Sequence, residues 1–289
     1  IDALMKEHED TLAKIARYSE LLSSRSAMAK AIIKELKDLK KEYAVPRKTQ
    51  IDNLAEAVVV EKAIEEKDVV FLMDRFGYAK TIDVSLYERN RETADAENRY
   101  VFTVRNTGRI CIFTDKGQMH WVKVMDLPFG RLKDKGTPID NVSNYDSKAE
   151  HYIYVCAMEA LEGCKLLFGT RTAMLKLVDG SEFIVGKKTT AATKLTDGVE
   201  VLLIGKAQAG DTIVMRSKKD VFLRIDCGQI PEKKKGAVGV RGMKLDAGDE
   251  LSAIYYLPDG DNGNVEVKGR EIALNRLHIG NRDTKGVKR

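Results

Sequence analysis

The sequence predicts a mostly β fold: a propeller-like array of about five four-stranded blades, preceded by an α-helical coiled-coil segment. Three observations carry this expectation. Residues 3–22 and 24–43 place apolar side chains at helical spacing. From about Val69 the texture changes to short Val, Ile, Phe and Leu runs broken by Gly, Asp and Asn turns. Those runs also repeat in a fixed order along the second part of the chain.

In the first helix Leu4, Leu12, Ile15, Tyr18 and Leu22 fall on one stripe. In the second, Met28, Ile32, Leu36, Leu39 and Tyr43 recur at spacings of four, four, three and four, close to a heptad seam. The run Ser23-Ser24-Arg25-Ser26 supplies an N-cap for the second helix. Pro46 ends the helical pattern, because proline has no amide donor and restrains the residue before it. The expected domains are therefore a helical segment over 1–45, a linker with its own short strand over 46–66, and a β domain over 67–289.

The expected strands include Val69–Met73, Arg109–Thr114, His151–Ala157, Lys165–Gly169, Val199–Ile204, Thr212–Met215 and Leu251–Leu257. One repeat unit is a strand, a turn, a second strand ending in a basic residue, then a basic glycine-containing segment. FLMDRFGYAK (71–80) matches CIFTDKGQMH (111–120), LLFGTRTAMLK (166–176) and IVMRSKKDVFLR (213–224). PFGRLKDKG (128–136), VGKKTTAATKL (185–195) and PEKKKGAVGVRGMKL (231–245) correspond in turn. A shorter fifth unit lies in NVEVKGREIALNRLHIG (264–280). Repeats of roughly 40 to 55 residues suit four-stranded propeller blades.

Bulk composition narrows the class without naming a partner. The formal net charge of +5 over 289 residues permits nucleic-acid binding through a segregated patch but does not require it. Residues 1–60 are close to neutral, with 11 Lys and Arg against 10 Asp and Glu, so most of the excess lies in the β part. No apolar run approaches the ~20 residues needed to span a bilayer. The opening IDALMKEHED lacks the organisation of a secretion signal, so a cytoplasmic protein is expected. Cys111, Cys156, Cys164 and Cys227 form no C-x-x-C pair and read as reduced, mostly buried residues.

At this point particular stretches resemble a known family. KEYAVPRKTQID (41–52), following a heptad helix, resembles the landmark closing the coiled coil of gyrase and topoisomerase IV A subunits. There a helix runs into a basic stretch, here Arg47-Lys48-Thr49-Gln50-Ile51. The repeats are similar to that family's C-terminal blades, most visibly in FTDKGQMHWVKVMDLP (113–128), GVRGMKLDAGDEL (239–251) and RDTKGVKR (282–289). The chain is thus identified as resembling the C-terminal region of a bacterial type IIA DNA topoisomerase A subunit.

The resemblance implies a β-pinwheel, a closed propeller-like ring whose basic rim bends double-stranded DNA. It implies a parent enzyme that hydrolyses ATP, uses Mg2+, and assembles with a second A subunit plus an ATPase B subunit. The fragment itself is expected to need no cofactor, to hold no metal and no catalytic residue, and to have no membrane partner. The DNA-binding candidates on the rim are Lys80, Arg89, Arg91, Lys116, Arg131, Lys133, Lys135, Lys187, Lys188, Lys218, Lys219, Lys233, Lys234, Lys235 and Arg241. Contact is favoured most for Lys233-Lys234-Lys235 beside Gly236, Gly239 and Gly242.

One departure from the family matters. Gyrases carry a glutamine, basic and glycine-rich box after the first blade, tied to chiral wrapping. The matching stretch, SLYERNRETADAENR (85–99), has no glycine and dilutes Arg89, Arg91 and Arg99 with acids. This favours a topoisomerase IV-like protein, with a gyrase bearing a degenerate box as the alternative. A protein-interaction propeller that binds no DNA is the rival from a different class.

Apparent catalytic motifs fail on inspection. Tyr18 beside Arg17 imitates a DNA-cleaving tyrosine but lies on the heptad seam. In GSEFIVGKKTT (180–190), five residues separate the glycines where a phosphate loop needs four. His8, His120, His151 and His278 lack metal-ligand spacing, and Trp121 reads as core.

Overall fold

A computed structural model describes residues 1–45, 49 and 65–289. The expected linker strand, Pro46 and most of the Arg47–Ile51 landmark lie outside the described residues. The chain divides into two compact units, Ile1–Ala63 and Ile64–Arg289.

The first unit holds α1 (Asp2–Ser23) and α2 (Arg25–Tyr43). Ser24 interrupts them in extended conformation, and its side-chain oxygen accepts from Ala27 N at 3.3 Å, capping α2 as expected. The apolar stripe is present but exposed: Leu12, Ile15, Ile32, Leu36 and Leu39 are each at least half accessible. Among the described residues no helix is long and apolar enough to cross a membrane.

The second unit is built from β-hairpins. The first repeat runs β1 (Asp68–Met73), β2 (Tyr78–Asp83), α3 (Val84–Arg89), α4 (Arg91–Glu97) and β3 (Tyr100–Arg105). The second runs β4 (Arg109–Thr114), β5 (Gln118–Lys123), β6 (Thr137–Pro138) and β7 (Tyr152–Ala157). The third runs β8 (Lys165–Thr170), β9 (Met174–Asp179), β10 (Thr189–Ala191) and β11 (Val201–Ala207). The fourth runs β12 (Thr212–Ser217), β13 (Val221–Asp226), β14 (Val240–Arg241) and β15 (Leu251–Leu257). The fifth has β16 (Asn264–Val267), β17 (Arg270–Ala273), β18 (Ile279–Gly280) and β19 (Val287–Lys288).

Pairing does not follow the repeats. The sheets are ordered β3-β1-β2-β6, β7-β4-β5-β10, β11-β8-β9-β14 and β15-β12-β13-β18, with β19 also on β13. Each hairpin therefore takes its inner neighbour from its own repeat and its outer neighbour from the next repeat. The strands β3, β7, β11 and β15 are the edges that meet neighbouring sheets, which places the borrowed strands on the outside. Four sheets are complete, whereas the fifth unit stops at the two strands β16 and β17. Among the described residues the expected five four-stranded blades are thus four such sheets plus a hairpin.

Both faces of each complete sheet are covered, which explains near-continuous apolar runs such as DVVFLM. Phe71, Ile112 and Val155 pack between the first and second sheets, and Phe113, Phe168 and Phe183 between the second and third. Leu175, Met215 and Ile254 join the third to the fourth, and Phe222, Leu257 and Leu274 join the fourth to the last hairpin. The far face of the first sheet, with Val70, Leu72 and Ile82, is covered by α3 and α4 through Leu86, Tyr87 and Ala94. Asp83 caps α3 by accepting from Ser85 N at 2.9 Å.

The closed ring implied by the resemblance is not sealed by pairing. Among the described residues no strand pair, hydrogen bond or shared apolar cluster joins the fifth hairpin to the first sheet.

The borrowed segments follow one path. A short parallel contact, Thr81 with Phe129 and Leu177 with Glu232, brings each to the sheet edge. The chain then loops out and returns antiparallel at β6 and β14. Gly136 and Gly239 make the return, with φ of 80° and 102°. A Cβ there would lie 2.6 Å from the carbonyl oxygens of Ala79 and Leu175 respectively. Gly239→Ala is therefore expected to lower unfolding free energy by about 2 kcal/mol or more in urea titrations, whereas the same change at exposed Gly236, with open space around it, is expected to cost under about 1 kcal/mol.

Candidate nucleic-acid interface

The borrowed segments carry the basic residues, so strand exchange places cations at one register on successive sheets. The first loop, between Phe129 and Thr137, presents Arg131, Lys133 and Lys135, all exposed. The second presents Lys187 and Lys188 before β10, both exposed. The third presents Lys233 and Lys234 exposed and Lys235 half-buried, then Arg241 on β14. These nine candidates share the outer edge.

The remaining six do not. Lys116, Lys218 and Lys219 occupy hairpin turns. Arg89 and Arg91 belong to α3 and α4, where Glu88, Glu92, Asp95 and Glu97 are exposed beside them. Lys80 is 8% exposed and cannot meet a phosphate; its ammonium donates to the carbonyls of Leu132 and Asp134, each at 2.5 Å. Its assignment to the rim is corrected on that ground: a loop arriving some fifty residues later covers it.

Ion pairs sort the exposed cations further. Lys116 Nζ lies 2.9 Å from Glu200, which Arg171 also contacts at 2.6 Å, and together they hold the Glu200 carboxyl at about 2. Lys218 is paired with Glu250, Arg91 with Asp95 at 3.7 Å, Lys234 with Glu182 at 3.6 Å, and Arg241 with Asp283 at 3.4 Å. Lys235 Nζ donates to the Glu182 carbonyl at 2.9 Å. Arg89, Arg131, Lys133, Lys135, Lys187, Lys188, Lys219 and Lys233 have no carboxylate partner among the described residues, Lys135 lying over the Tyr78 ring at 4.3 Å. Of these, Arg131, Lys133, Lys187, Lys188 and Lys233 are the freest cations of the outer edge.

Beneath each loop a side chain of the supporting strand holds its carbonyls. Trp121 Nε1 donates to Lys187 O at 2.8 Å, so the indole is core and not a stacking platform. Lys176, 1% exposed, donates to Lys235 O at 2.6 Å and Ala237 O at 2.8 Å, and burial pushes it down to about 8.

Comparisons with known proteins point the same way. Residues 211–257, which span β12 to β15, match the family model "DNA gyrase C-terminal domain, beta-propeller". The chain is 27% identical to the DNA gyrase A subunit of Lawsonia intracellularis, over 99% of this chain and 37% of that one. It is 24% identical to the DNA topoisomerase 4 A subunit of Streptococcus pneumoniae, over 86% of this chain and 32% of the relative. The chain resembles the C-terminal region of type IIA topoisomerase A subunits over nearly its whole length.

The fold agrees with solved relatives of the region. The C-terminal domain of a DNA topoisomerase IV superposes with a TM-score of 0.68 at 20% identity, covering 78% of this chain and 73% of that one. The E. coli ParC C-terminal domain gives 0.61 at 14% identity, covering 77% and 94%. The chain spans about a third of the length of the curated relatives it matches.

Sequence reasoning missed a fourth basic loop. Between β18 and β19, Arg282 and Lys285 occupy the same register on the fourth sheet. The trailing RDTKGVKR had signalled it, since its Gly-Val repeats the Gly239-Val240 return. Cys111, Cys156 and Cys227 are buried free thiols, the last two pushed up to about 12 by burial. Among the described residues no His, Cys, Asp and Glu group could hold a metal.

The depressed Lys176 gives a stability test. Its folded value of about 8 lies below the ordinary 10.5, so the unfolded chain binds more protons between those pH values. Stability contributed by this site must rise with pH across that window. The difference in unfolding free energy between wild type and Lys176→Met is expected to shift toward wild type by up to about 3 kcal/mol from pH 7 to pH 10.5. Urea titrations at both pH values measure it, with tyrosine and cysteine ionisation cancelling in the difference.

Proposed function

We propose that this region binds and bends double-stranded DNA for its parent topoisomerase, supporting passage of one duplex through another. One observation carries the reading: basic loops recur at the same outer-edge register on consecutive sheets. A duplex following those edges has phosphates neutralised on one side, and each neutralised phosphate releases condensed counterions. Binding of this kind is salt-dependent and indifferent to base sequence, with DNA deformability setting the cost of the bend. The parent's ATP hydrolysis, its Mg2+, an ATPase B subunit, a second A subunit, and a cytoplasmic location belong to the same proposal and rest on the relatives. Within it, the chain acts by binding and the parent supplies catalysis.

We assign the bending to a topoisomerase IV-like mode in preference to gyrase-type wrapping. The stretch matching the gyrase box forms the two helices that cover the first sheet, and the exposed charges of α3 and α4 are four acids against two arginines. That surface repels phosphate and interrupts the positive path at the first sheet.

Two measurements check these statements. On linear duplex between about 50 and 200 mM salt, a Lys133, Lys187, Lys188 and Lys233 to Ala variant is expected to bind more than tenfold more weakly, with a log–log salt slope shallower by about 3. An unchanged slope removes these residues from the interface. Relaxation of a plasmid by a nicking-closing enzyme with the chain present is expected to leave little chiral supercoiling. Strong supercoiling of one sign would return the region to the gyrase mode.

A further inference from the structure

The loops are held from below, and the way they are held bears on how they meet DNA. Lys80 and Lys176 stand at the same position of their hairpins, opposite Leu72 and Phe168. Both are buried, at 8% and 1% exposed. Neither ammonium has a carboxylate within ion-pair distance among the described residues. Each is instead met by main-chain carbonyls of the loop laid over it: Leu132 and Asp134 for Lys80, Lys235 and Ala237 for Lys176, with Lys234 O farther off at 3.5 Å.

A buried ammonium loses hydration, and carbonyl dipoles offset only part of that loss. The lowered proton affinity of both lysines reflects this cost. The architecture does not require it, because the equivalent position in the fourth sheet is Leu223, opposite Met215. An apolar residue therefore completes the same hairpin, and the charge in the first and third sheets serves something besides the fold. The two loops above the buried lysines are also the ones with three cations each, Arg131, Lys133 and Lys135 in one and Lys233, Lys234 and Lys235 in the other.

We infer that Lys80 and Lys176 are positioning residues for DNA binding, each drawing the carbonyls of its overlying loop inward and so holding the loop's own cations outward toward the phosphates. A carbonyl turned to the ammonium is removed from the surface that a phosphate approaches, where its negative end would oppose binding. The loop is also ordered before DNA arrives, so less conformational freedom is lost on binding. The inference rests on the proposed DNA-binding role of these loops, while its ordering half stands apart from that role.

The test uses the whole 289-residue chain, with Lys176→Leu, Lys176→Arg and a Lys233→Ala/Lys234→Ala variant, at a temperature where thermal unfolding shows each is folded. Amide hydrogen exchange over residues 233–240 reads loop order, and titration of a linear duplex reads affinity. Lys176→Leu is expected to speed exchange at Lys235 and Ala237 at least tenfold and to weaken duplex binding about fivefold. Lys176→Arg, which keeps charged donors, is expected to recover most of both. The Lys233→Ala/Lys234→Ala variant is expected to weaken binding with loop exchange unchanged. Unchanged loop exchange in Lys176→Leu overturns the inference, as does faster exchange with full duplex affinity. If Lys176→Leu does not fold, Lys80→Leu is read in the same way over residues 129–137; failure of both to fold overturns it in favour of a purely structural charge. Absence of salt-dependent binding by the wild type defeats the DNA role alone and leaves the exchange result to judge the ordering.

Discussion

Everything in the β unit depends on each sheet being finished by a strand from another repeat. A hairpin buries both faces against its neighbours, but its outer edge would stay open if the following repeat did not cross back to cover it. That crossing joins consecutive sheets by main-chain hydrogen bonds as well as by apolar contact, so no sheet is a separable module. It also determines where the loops go. A segment that must leave its own hairpin, reach the preceding one and return has to travel over the outer edge, and the lysines it carries travel with it. Cohesion of the array and presentation of charge are therefore one event in the chain's path.

Much of this was legible in the residues. The helices over 3–22 and 24–43 and the strands from Val69 onward follow from periodicity, and observed boundaries differ by at most three residues. The recurring unit of hairpin plus basic segment was visible too. The destination of the basic segment was not. A period of two states which face of a strand is apolar, and says nothing about which sheet that strand joins. Lys80 was misplaced for the same reason: a lysine in a strand is ordinarily solvated, and only the arrival of Leu132 and Asp134 from the next repeat buries it. The stretch 85–99 lacks glycine on inspection of the sequence, but its role as a helical cover over Val70 and Leu72 depends on a tertiary contact that local pattern does not encode.

The contrast between Leu223 and the two buried lysines is informative about how the repeats diverged. A repeated architecture offers the same structural slot several times, so differences between slots separate what the fold needs from what a particular loop needs. Trp121 one residue along, and Arg224 at that next position in the fourth sheet, hold neighbouring carbonyls with uncharged and charged donors respectively. The slot tolerates apolar, aromatic and cationic solutions nearby, and the ammonium occurs where the overlying loop is most basic.

The α3–α4 pair gives the array a polarity. Its charged exterior shuts one end, since no further sheet could pack there without stranding buried carboxylates. At the other end, among the described residues, the β16–β17 hairpin pairs with no further strand and packs on the fourth sheet through Leu257 and Leu274. The two ends of the described array are thus unlike, a charged helical cover on the first sheet and a two-stranded hairpin beside the fourth, so a partner would meet different surfaces at each.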